Sequence, residues 1–500
     1  MKRQSWIRLS VKIWRRWVMG NKVKLGELLS ILTDYHANGA YKKLKENVEL
    51  LDEPDFAVMI RTTNFEQEDF TNNLKYINKH AYSFLAKSKV YPNDIIMNKI
   101  ANAGSSYLMP DLKVPVSLAM NLFLLRVDAA KANPIYIYLY LRVNEAYVKS
   151  FANGSVTKTI TKDAVRNLEI ELPSRSIQDR IAEQFICINN KITLNRQINQ
   201  TLEQMAQTLF KSWFVDFDPV VDNALDAGFF EQDLGFSEEL LHRVEVRKAV
   251  RESDNFKPLS EDIRRLFPDA FEECAESALG LGGWIPEGWE INCLENISKC
   301  IKGTSYKSSE LSASDTALVT LKSFQRGGGY RLDGLKSYVG SYKKEQEVFA
   351  GDLIIACTDV TQAADIIGKP AIVISDPCYS KLVVSLDVAV IRPKHISLKY
   401  YLYGIAKTLE FQNYTYSHST GTTVLHLSKN AVPNFMVSLP NELILQRYHE
   451  MVLPLFDSIE KNTCSLRVLT KLRDTILPKL ISGELSLSNL KIDIPEETLI

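Results

Sequence analysis

With 500 residues the chain is too long for one ordinary hydrophobic core, so we expect at least two domains. Hydrophobic residues make up 45% and charged residues 24%, as in soluble globular proteins, and the formal net charge is zero. This balance argues against a simple nucleic-acid-binding protein, so any DNA contact must come from local basic clusters or be shared with a more basic partner.

Cysteine and hydropathy patterns exclude further classes. The seven cysteines form no CxxC pair, which argues against a disulfide framework or a cysteine zinc site and favours reduced, mostly buried thiols. No stretch approaches about 18 uninterrupted apolar residues, so no membrane span is expected.

The first 19 residues differ from the rest of the chain. They contain six Lys/Arg, three Trp and no acidic residue, a composition typical of an amphipathic surface or targeting helix. The alternative is that translation begins at Met19, because a plausible first strand, residues 22–28, follows. We treat residues 1–19 as a basic N-terminal extension, and we expect a cytoplasmic location under either interpretation.

A strand-rich domain is predicted for residues 20–173. Its segments 56–65 and 90–97 are apolar runs bounded by Gly, Pro, Asn and Asp, a pattern typical of strands. Asn133-Pro134-Ile135-Tyr136 is close to the Asn-Pro-Pro-Tyr motif of amino-methyltransferases, but it lacks the second proline and a preceding glycine-rich turn. We interpret it as the start of a helix over 135–142.

A long amphipathic helix follows over residues 174–214. Its apolar residues recur at steps of three and four, and Ser174 can cap its start. Residues 215–283 are interpreted as a mixed-charge linker segment, within which 237–250 has the pattern of a surface helix.

The second half of the chain repeats the first. Residues 421–452 align with 154–185 without a gap, at a constant shift of 267, and upstream segments match in the same order. The repeat predicts a second strand-rich domain over 284–440, a second long helix over 441–485 and a tail over 486–500. Asn441 can cap this helix, and Pro478 should end or kink it.

The two helices are long enough to pack against each other. About 40 residues span roughly 60 Å, more than one small domain covers. We therefore predict an α+β fold: two strand-rich α/β domains joined and spaced by two long antiparallel coiled-coil helices, as a pseudo-twofold tandem repeat. The matched Asn195 and Asn462 either fix the register of the pair or face solvent. The predicted seam residues are Ile188, Ile192, Asn195, Leu202, Leu455, Ile459, Asn462 and Leu469.

Motifs for catalysis are absent from the sequence. There is no GxxxxGK[ST] phosphate loop, and no Glu has Lys two positions later, as a common metal-dependent nuclease site requires. Asp216-Phe217-Asp218 offers too few ligands for a metal, so we interpret it as an exposed acidic loop. The seven histidines show no ligand spacing. We predict a non-catalytic chain with no metal site.

Three segments resemble those of a known family. LEQMAQTLFKSWFVDFDPV (202–220) is similar to the end of the central conserved region of type I restriction specificity subunits. GWIPEGWEINCLENI (283–297) resembles the opening of their second target-recognition domain, and KLISGEL (479–485) resembles the close of their second conserved helix. The resemblance covers about residues 20–485.

This resemblance implies the specificity subunit of a type I restriction-modification complex. In that family each strand-rich domain is a target-recognition domain that reads one half of a split double-stranded DNA target, and the helices set the spacing. Two methyltransferase subunits dock on the helices, and nuclease-translocase subunits complete the complex. S-adenosylmethionine, ATP and Mg would belong to those partners, with no cofactor and no membrane contact for this chain. Divergent domains imply an asymmetric target.

Residues that read DNA are expected in exposed loops, because Arg, Lys, Asn, Gln, Ser and Thr bind base edges and phosphates. Gly327–Gly329, together with Tyr330 and Arg331, are expected to form a flexible loop near phosphates. First-domain candidates are Arg61, Thr62, Asn64, Lys99, Asn102, Thr157 and Lys158. Second-domain candidates are Lys322, Gln325, Arg326, Thr358, Thr361, Gln362, Thr422 and Thr423.

Partner contacts have two candidate locations. The aromatic residues Trp213, Phe214 and Phe217 at the end of the first helix are typical of either a partner interface or a packed helix end. The outward face of the helix pair is the other candidate. Two further functions remain open: the DNA-recognition part of a single-chain restriction-modification enzyme, and a coiled-coil adaptor, for which two strand-rich domains would be surplus.

Overall fold

The structure, a computed structural model, describes residues 20–71, 74–154, 157–276, 279–361 and 364–485. The chain divides into two compact units. Within the described ranges, unit 1 comprises residues 20–192 and 468–485, and unit 2 comprises residues 193–467. The predicted extension 1–19 and tail 486–500 lie outside the described residues.

Two four-stranded sheets and a short ladder form the β-structure of unit 1. The strands are β1 (Asn21–Lys24), β2 (Leu29–Asp34), β3 (Ala57–Ile60), β4 (Tyr76–Ile77), β5 (Lys89–Val90), β6 (Ile95–Asn98), β7 (Ser106–Leu108), β8 (Val116–Leu118), β9 (Leu122–Val127) and β10 (Glu169–Leu172). One sheet has the order β2-β9-β6-β7, and the other has the order β4-β3-β8-β5 with β3 and β8 parallel. β1 pairs antiparallel with β10.

The paired sheets of unit 1 are joined and flanked by helices. They are α1 (Leu25–Leu28), α2 (Tyr41–Asn47), α3 (Thr62–Glu66), α4 (Lys79–Phe84), α5 (Pro134–Val143), α6 (Glu145–Lys149), α7 (Lys162–Arg166) and the start of α8 (Arg175–Phe214). One core lies between the sheets, and separate cores lie under α5 and under α2 and α4. This layering explains why β3 and β6 are buried at every position and read as continuous apolar runs.

The β-structure of unit 2 repeats that of unit 1. The strands are β11 (Phe271–Glu273), β12 (Trp284–Pro286), β13 (Glu290–Cys293), β14 (Ser298–Lys302), β15 (Thr316–Val319), β16 (Lys336–Ser337), β17 (Glu347–Val348), β18 (Leu353–Ala356), β19 (Thr358–Asp359), β20 (Pro370–Ile372), β21 (Lys381–Val384), β22 (Val388–Pro393), β23 (Ser419–Thr420), β24 (Leu425–Leu427) and β25 (Met436–Leu439). Its four-stranded sheets have the orders β14-β22-β18-β20 and β16-β15-β21-β17, again with a parallel central pair, β15 and β21. β13 pairs antiparallel with β25, as β1 does with β10.

The helices of unit 2 include a group that follows α8. They are α9 (Asp218–Asp226), α10 (Glu238–Arg251), α11 (Glu261–Arg264), α12 (Leu294–Ile297), α13 (Leu398–Lys407), α14 (Leu409–Ser417) and the larger part of α15 (Glu442–Ile481). One contact shows how closely the repeats agree. Tyr136 on α5 donates its hydroxyl to the Glu171 carbonyl at 2.9 Å, and Tyr401 on α13 donates to the Ser438 carbonyl at 2.8 Å. The predicted α+β tandem repeat is confirmed.

The predicted pair of long helices is also confirmed, and α8 and α15 have 40 residues each. In unit 1, Arg473 Nη1 donates to Asn189 Oδ1 at 3.4 Å. In unit 2, Asn199 Nδ2 donates to Thr463 Oγ1 at 3.0 Å, and the Phe214 ring lies 4.9 Å from that of Tyr448. Within unit 2, higher residue numbers on α8 contact lower residue numbers on α15, so the two helices are antiparallel there.

The ends and seam of the helices differ in detail from the expectations. Asn441 Oδ1 accepts from Ile444 N at 3.1 Å and so caps α15 as predicted, but α15 continues past Pro478 to Ile481. Asn195 is only 2% exposed, which excludes a solvent-facing position for it. Ile188 and Ile192 are also buried, whereas the half-buried seam candidates are Leu202, Leu455, Ile459, Asn462 and Leu469.

Residues 215–283 are not a simple linker. Their aromatic and aliphatic side chains, among them Phe229, Leu240 and Phe271, are buried in the main core of unit 2. The helix predicted at 237–250 corresponds to α10. The segment is therefore part of the folded unit rather than a connection between two bodies.

The described cysteines, possible metal ligands and long helices provide no further candidate site. Cys187 and Cys378 are exposed and the other five thiols are half-buried, so the expectation of mostly buried thiols is wrong. Among the described residues, no group of three or more His, Cys, Asp and Glu is placed to hold a metal ion. No described helix combines the length and apolar character that crossing a membrane requires.

Candidate nucleic-acid interface

The first-domain candidates lie on three segments of unit 1. Arg61, Thr62 and Asn64 follow β3, while Lys99 and Asn102 follow β6. Thr157 and Lys158 are exposed and precede Thr159, which pairs with Ile100 in an isolated bridge. The last two segments are therefore adjacent in the folded unit.

The side chain of Asn64 is buried in a local turn, where it is not exposed to a base edge. It is 3% exposed. Its Oδ1 accepts from the Arg61 backbone N–H at 3.0 Å, and its Nδ2 donates to the Asp69 carbonyl at 3.3 Å. The oxygen and the nitrogen of the side-chain amide are thus both used to fix the turn at α3. Residue type alone does not distinguish this structural role from base reading.

Lys99 also has a structural role. Its Nζ lies 3.2 Å from Asp34 Oδ2, and Lys162 Nζ lies 2.9 Å from Asp34 Oδ1. Burial alone would raise the pKa of Asp34, but the two ammonium groups outweigh it and hold that pKa below its ordinary value. Lys99 therefore belongs to an ion cluster that ties β2 to the β6 and α7 segments. Asn102 is exposed, and its Oδ1 accepts from Lys149 Nζ at 2.7 Å.

Replacing Asp34 by Asn tests this cluster. We expect Asp34→Asn to lower the free energy of unfolding at pH 7 by about 2–3 kcal/mol, because two charge-assisted hydrogen bonds are lost. The folded-state pKa of Asp34 lies below the unfolded value near 4, so the stabilisation is complete above about pH 4 and is lost as pH falls through the folded pKa. Urea titrations from pH 3 to 7 should therefore show the difference between wild type and variant shrinking in acid. A difference that is constant with pH would contradict the assignment.

The second-domain candidates in the described residues lie on connected segments of unit 2. Strand β19, which contains Thr358, pairs with β24, and Thr422 and Thr423 lie exposed in the turn between β23 and β24. The loop after β15 is connected to the segment after β19, because the Gly327 N–H donates to the Asp365 carbonyl at 3.1 Å. Gln362 lies outside the described residues.

The candidates on these segments differ in exposure. Thr358 is 6% exposed within β19, so it is not available to a base edge. Lys322 and Gln325 are exposed and Thr361 is half-buried. The Arg326 side chain is 78% exposed, and its Nε lies 3.8 Å from Asp365 Oδ2.

The glycine loop is held in place rather than free. Gly327, Gly328 and Gly329 all have positive φ, between 82° and 106°, a conformation that favours glycine. The Gly329 N–H donates to the Pro370 carbonyl at 3.0 Å, and the Gly328 N–H donates to the Gln325 carbonyl at 3.0 Å.

Asp359 is a buried residue beneath these segments that the sequence did not reveal. It is 1% exposed, and its carboxylate accepts from the backbone N–H groups of Thr361, Ile366 and Ile367 at 2.6, 2.6 and 3.0 Å. Burial would raise the pKa of Asp359, but these hydrogen bonds outweigh it and lower that pKa. Asp-x-Thr is a common turn pattern, but its contact with residues seven and eight positions on depends on the folded loop.

Trp213, Phe214 and Phe217 are not available as a partner interface. They are 0%, 5% and 2% exposed and lie in the main core of unit 2, so the packed-helix-end interpretation holds. The predicted exposed acidic loop is also wrong. Asp218 is 7% exposed, accepts from Ser212 Oγ at 2.7 Å and is paired with Arg243.

Comparison with known proteins gives one consistent result. Residues 20–204 match the family model of the type I restriction modification DNA specificity domain. The chain is 26% identical over 423 residues to the type I restriction enzyme HindI specificity subunit of Haemophilus influenzae, covering 80% of this chain and 88% of that protein. It is 23% identical over 367 residues to the MjaIX specificity subunit of Methanocaldococcus jannaschii, covering 73% and 71%.

A solved structure agrees with these relatives. The S subunit of a type I restriction-modification system from M. genitalium matches with a TM-score of 0.50 and 13% identity, over 92% of this chain and 95% of that one. At this identity the likeness shows the shared fold alone. The resemblance inferred from residues 202–220, 283–297 and 479–485 is confirmed.

Proposed function

We propose that this chain, which belongs to the type I restriction-modification specificity subunits, reads a split double-stranded DNA sequence, one half with each strand-rich domain. It is the DNA-specificity subunit and not the catalytic one. The observation that carries the split target is the repetition of one two-sheet architecture, once in each unit.

The two halves of the target are proposed to differ in sequence. After β3, unit 1 has helix α3, whose Phe65 packs on Tyr107 at 5.1 Å between ring centres. At the equivalent place, after β15, unit 2 has the short 3-10 turn Leu321–Ser323, and the glycine loop follows it. Since side chains at such loops read base edges, different loops on one scaffold favour different half-sites and an asymmetric target.

The helices α8 and α15 are proposed to set the distance between the half-sites. A helix of 40 residues spans roughly 60 Å, which corresponds to at most about 18 base pairs of B-form DNA. We therefore expect a target whose halves are separated by a spacer of fixed length with no base preference.

Two methyltransferase subunits are the proposed partners on the helices, with nuclease-translocase subunits completing the complex. Both helices carry apolar side chains that remain exposed within their own units, a feature typical of protein interfaces. These residues are Ile186, Leu194 and Met205 on α8, and Leu443, Leu453 and Val468 on α15. Because the net charge of the chain is zero, we propose that firm DNA binding needs these partners to close around the duplex in the cytoplasm.

On this proposal S-adenosylmethionine, ATP and Mg bind to the partner subunits. The alternative, the recognition part of a single-chain restriction-modification enzyme, is not favoured, because the alignment to a separate specificity subunit spans 88% of that protein. A coiled-coil adaptor would not require two domains with different loops.

Co-purification tests the proposal directly. The tagged full-length chain should retain a type I methyltransferase subunit that is co-expressed with it from the same genome, and the complex should bind a defined split DNA sequence more tightly than random duplex by about 10³-fold or more. A chain that retains no methyltransferase subunit, or a complex with equal affinity for all duplexes, would contradict the proposal.

A further inference from the structure

The two units differ in the connection between one pair of equivalent strands. In unit 1, residues 99–105 join β6 to β7 by a tight turn, in which the Gly104 N–H donates to the Asn98 carbonyl at 2.8 Å. In unit 2, the equivalent strands β18 and β20 are joined by the longer connection 357–369. The described residues 359–361 and 364–369 of this connection are called the unit 2 loop below.

A buried carboxylate holds the unit 2 loop. Asp359 accepts from three backbone N–H groups, one at Thr361 and two at Ile366 and Ile367. At the far end of the loop, the Gly368 carbonyl accepts from Gln412 Nε2 at 3.0 Å. A carboxylate with three N–H donors is a strong anchor, because each bond is charge-assisted and shielded from water. The loop is thus fixed although it contains little regular structure.

The same loop holds the segment that carries Arg326. Thr361 Oγ1 accepts from the Asp365 N–H at 3.0 Å, and the Asp365 carbonyl in turn accepts from the Gly327 N–H at 3.1 Å. The carboxylate of Asp365 lies 3.8 Å from Arg326 Nε. A continuous series of hydrogen bonds therefore runs from Asp359 through the loop to the backbone beside Arg326.

In the segment after β15 that the unit 2 loop holds, Arg326 presents its guanidinium outward. Its ion pair with Asp365 is long, and 78% of its side chain is exposed. By contrast, Arg331 is held by both carboxylate oxygens of Asp333, at 3.0 and 2.5 Å. An exposed planar guanidinium on a fixed backbone suits bidentate binding to guanine O6 and N7, the commonest specific contact in the major groove.

We infer that Arg326 is a specificity-determining residue for a guanine in the half-site read by unit 2, and that Asp359 is a positioning residue that fixes the loop supporting it. This inference rests on the proposed function. On this inference the longer connection of unit 2 supports a base-reading residue. Unit 1 has only a tight turn at the equivalent place, so other residues must fill that role there.

The test uses the full-length chain expressed with its methyltransferase subunit, and the readout is the methylated DNA motif determined by sequencing. Arg326→Ala should lower the preference for guanine at one position of one half-site by about tenfold to a hundredfold, and leave the other half-site unchanged. Arg331→Ala is the matched control, an arginine five residues away whose fork is engaged by Asp333, and it should leave the motif unchanged. A wild-type motif from Arg326→Ala would overturn the assignment of Arg326.

Asp359→Ala should relax several positions of that same half-site, because the whole loop loses its anchor. Asp359→Asn keeps the size of the side chain but replaces one acceptor oxygen by a donor, so it should relax the same positions less. Loss of methylation at every site with both Asp359 variants would assign Asp359 to the stability of unit 2 alone and overturn its positioning role. If the wild-type complex itself shows no split motif, the proposed function fails, whereas a wild-type split motif with an unaltered Arg326→Ala motif refutes only this inference.

Discussion

Trp213→Ala is expected to lower the free energy of unfolding by about 3–5 kcal/mol. Trp213 is 0% exposed at the end of α8. Its ring lies 5.0 Å from that of Phe267 and 6.0 Å from that of Tyr448, so truncation leaves a cavity where α8 meets the 215–283 segment and α15. Urea denaturation of the full-length chain, followed by circular dichroism, measures the change.

Met205→Ala is the control on the same helix. Met205 is 52% exposed, so its truncation should change the free energy of unfolding by less than about 0.5 kcal/mol. If Trp213→Ala left the stability unchanged but abolished retention of the methyltransferase subunit, Trp213 would be an interface residue after all, contrary to its burial.

Asp222→Ala is expected to destabilise the chain by about 3–4 kcal/mol, because the half-buried Arg247 guanidinium loses its two-pronged partner and keeps only a longer contact to Asp218, at 3.6 Å. Asp222 on α9 is 7% exposed and accepts from Arg247 Nε at 2.8 Å and from Arg247 Nη2 at 2.5 Å. Burial would lower the pKa of Arg247, but the hydrogen bond to Asp222 and the neighbouring carboxylates outweigh it and raise that pKa. The pair therefore joins α9 to α10 as a charged contact inside unit 2.

Glu245→Ala provides the comparison for this ion pair. Glu245 is on α10, pairs with Lys248 at 2.9 Å and has a side chain that is 70% exposed, so its removal should cost less than about 1 kcal/mol. In the double variant Asp222→Ala with Arg247→Met, part of the lost stability should return, since the guanidinium that lost its main partner is removed as well. Equal losses for Asp222→Ala and Glu245→Ala in thermal denaturation would show that the buried pair contributes no more than an exposed one.

The architecture could be predicted from the sequence because its signals are local or repeated. The Asn133-Pro134 pair predicted a helix start, and Asn133 Oδ1 accepts from Ile135 N at 2.9 Å at the start of α5. The gapless shift of 267 predicted two copies of one domain, and the two pairs of sheets have the same strand orders. The first signal depends on residues close in sequence, and the second depends on a comparison of one half of the chain with the other.

The candidate site was predicted less well, because its chemistry depends on residues far apart in sequence. Lys99 was a reasonable candidate by type, yet its partner Asp34 is 65 residues away and Lys162 is 128 residues from Asp34. Thr358 has a hydroxyl suited to base reading, but pairing with the distant β24 places it in a buried strand. Residue type predicted which side chains can bind DNA, and the tertiary contacts determine which of them are exposed to do so.

The same reason explains why the sequence left two interpretations open at the end of α8. Aromatic clusters are typical of both interfaces and cores, and the choice depends on what covers them. Here the cover is the 215–283 segment, whose mixed charge suggested a linker, while its buried Phe267 and Phe271 face the core of unit 2.

The most direct test of the central claim is the methylation motif of cells that carry this chain together with its methyltransferase subunit, determined by single-molecule sequencing of genomic DNA. We predict one motif made of two different short half-sites separated by a spacer of fixed length, and we predict that it disappears when this chain alone is deleted. A single uninterrupted motif, or methylation that persists unchanged without the chain, would contradict the account.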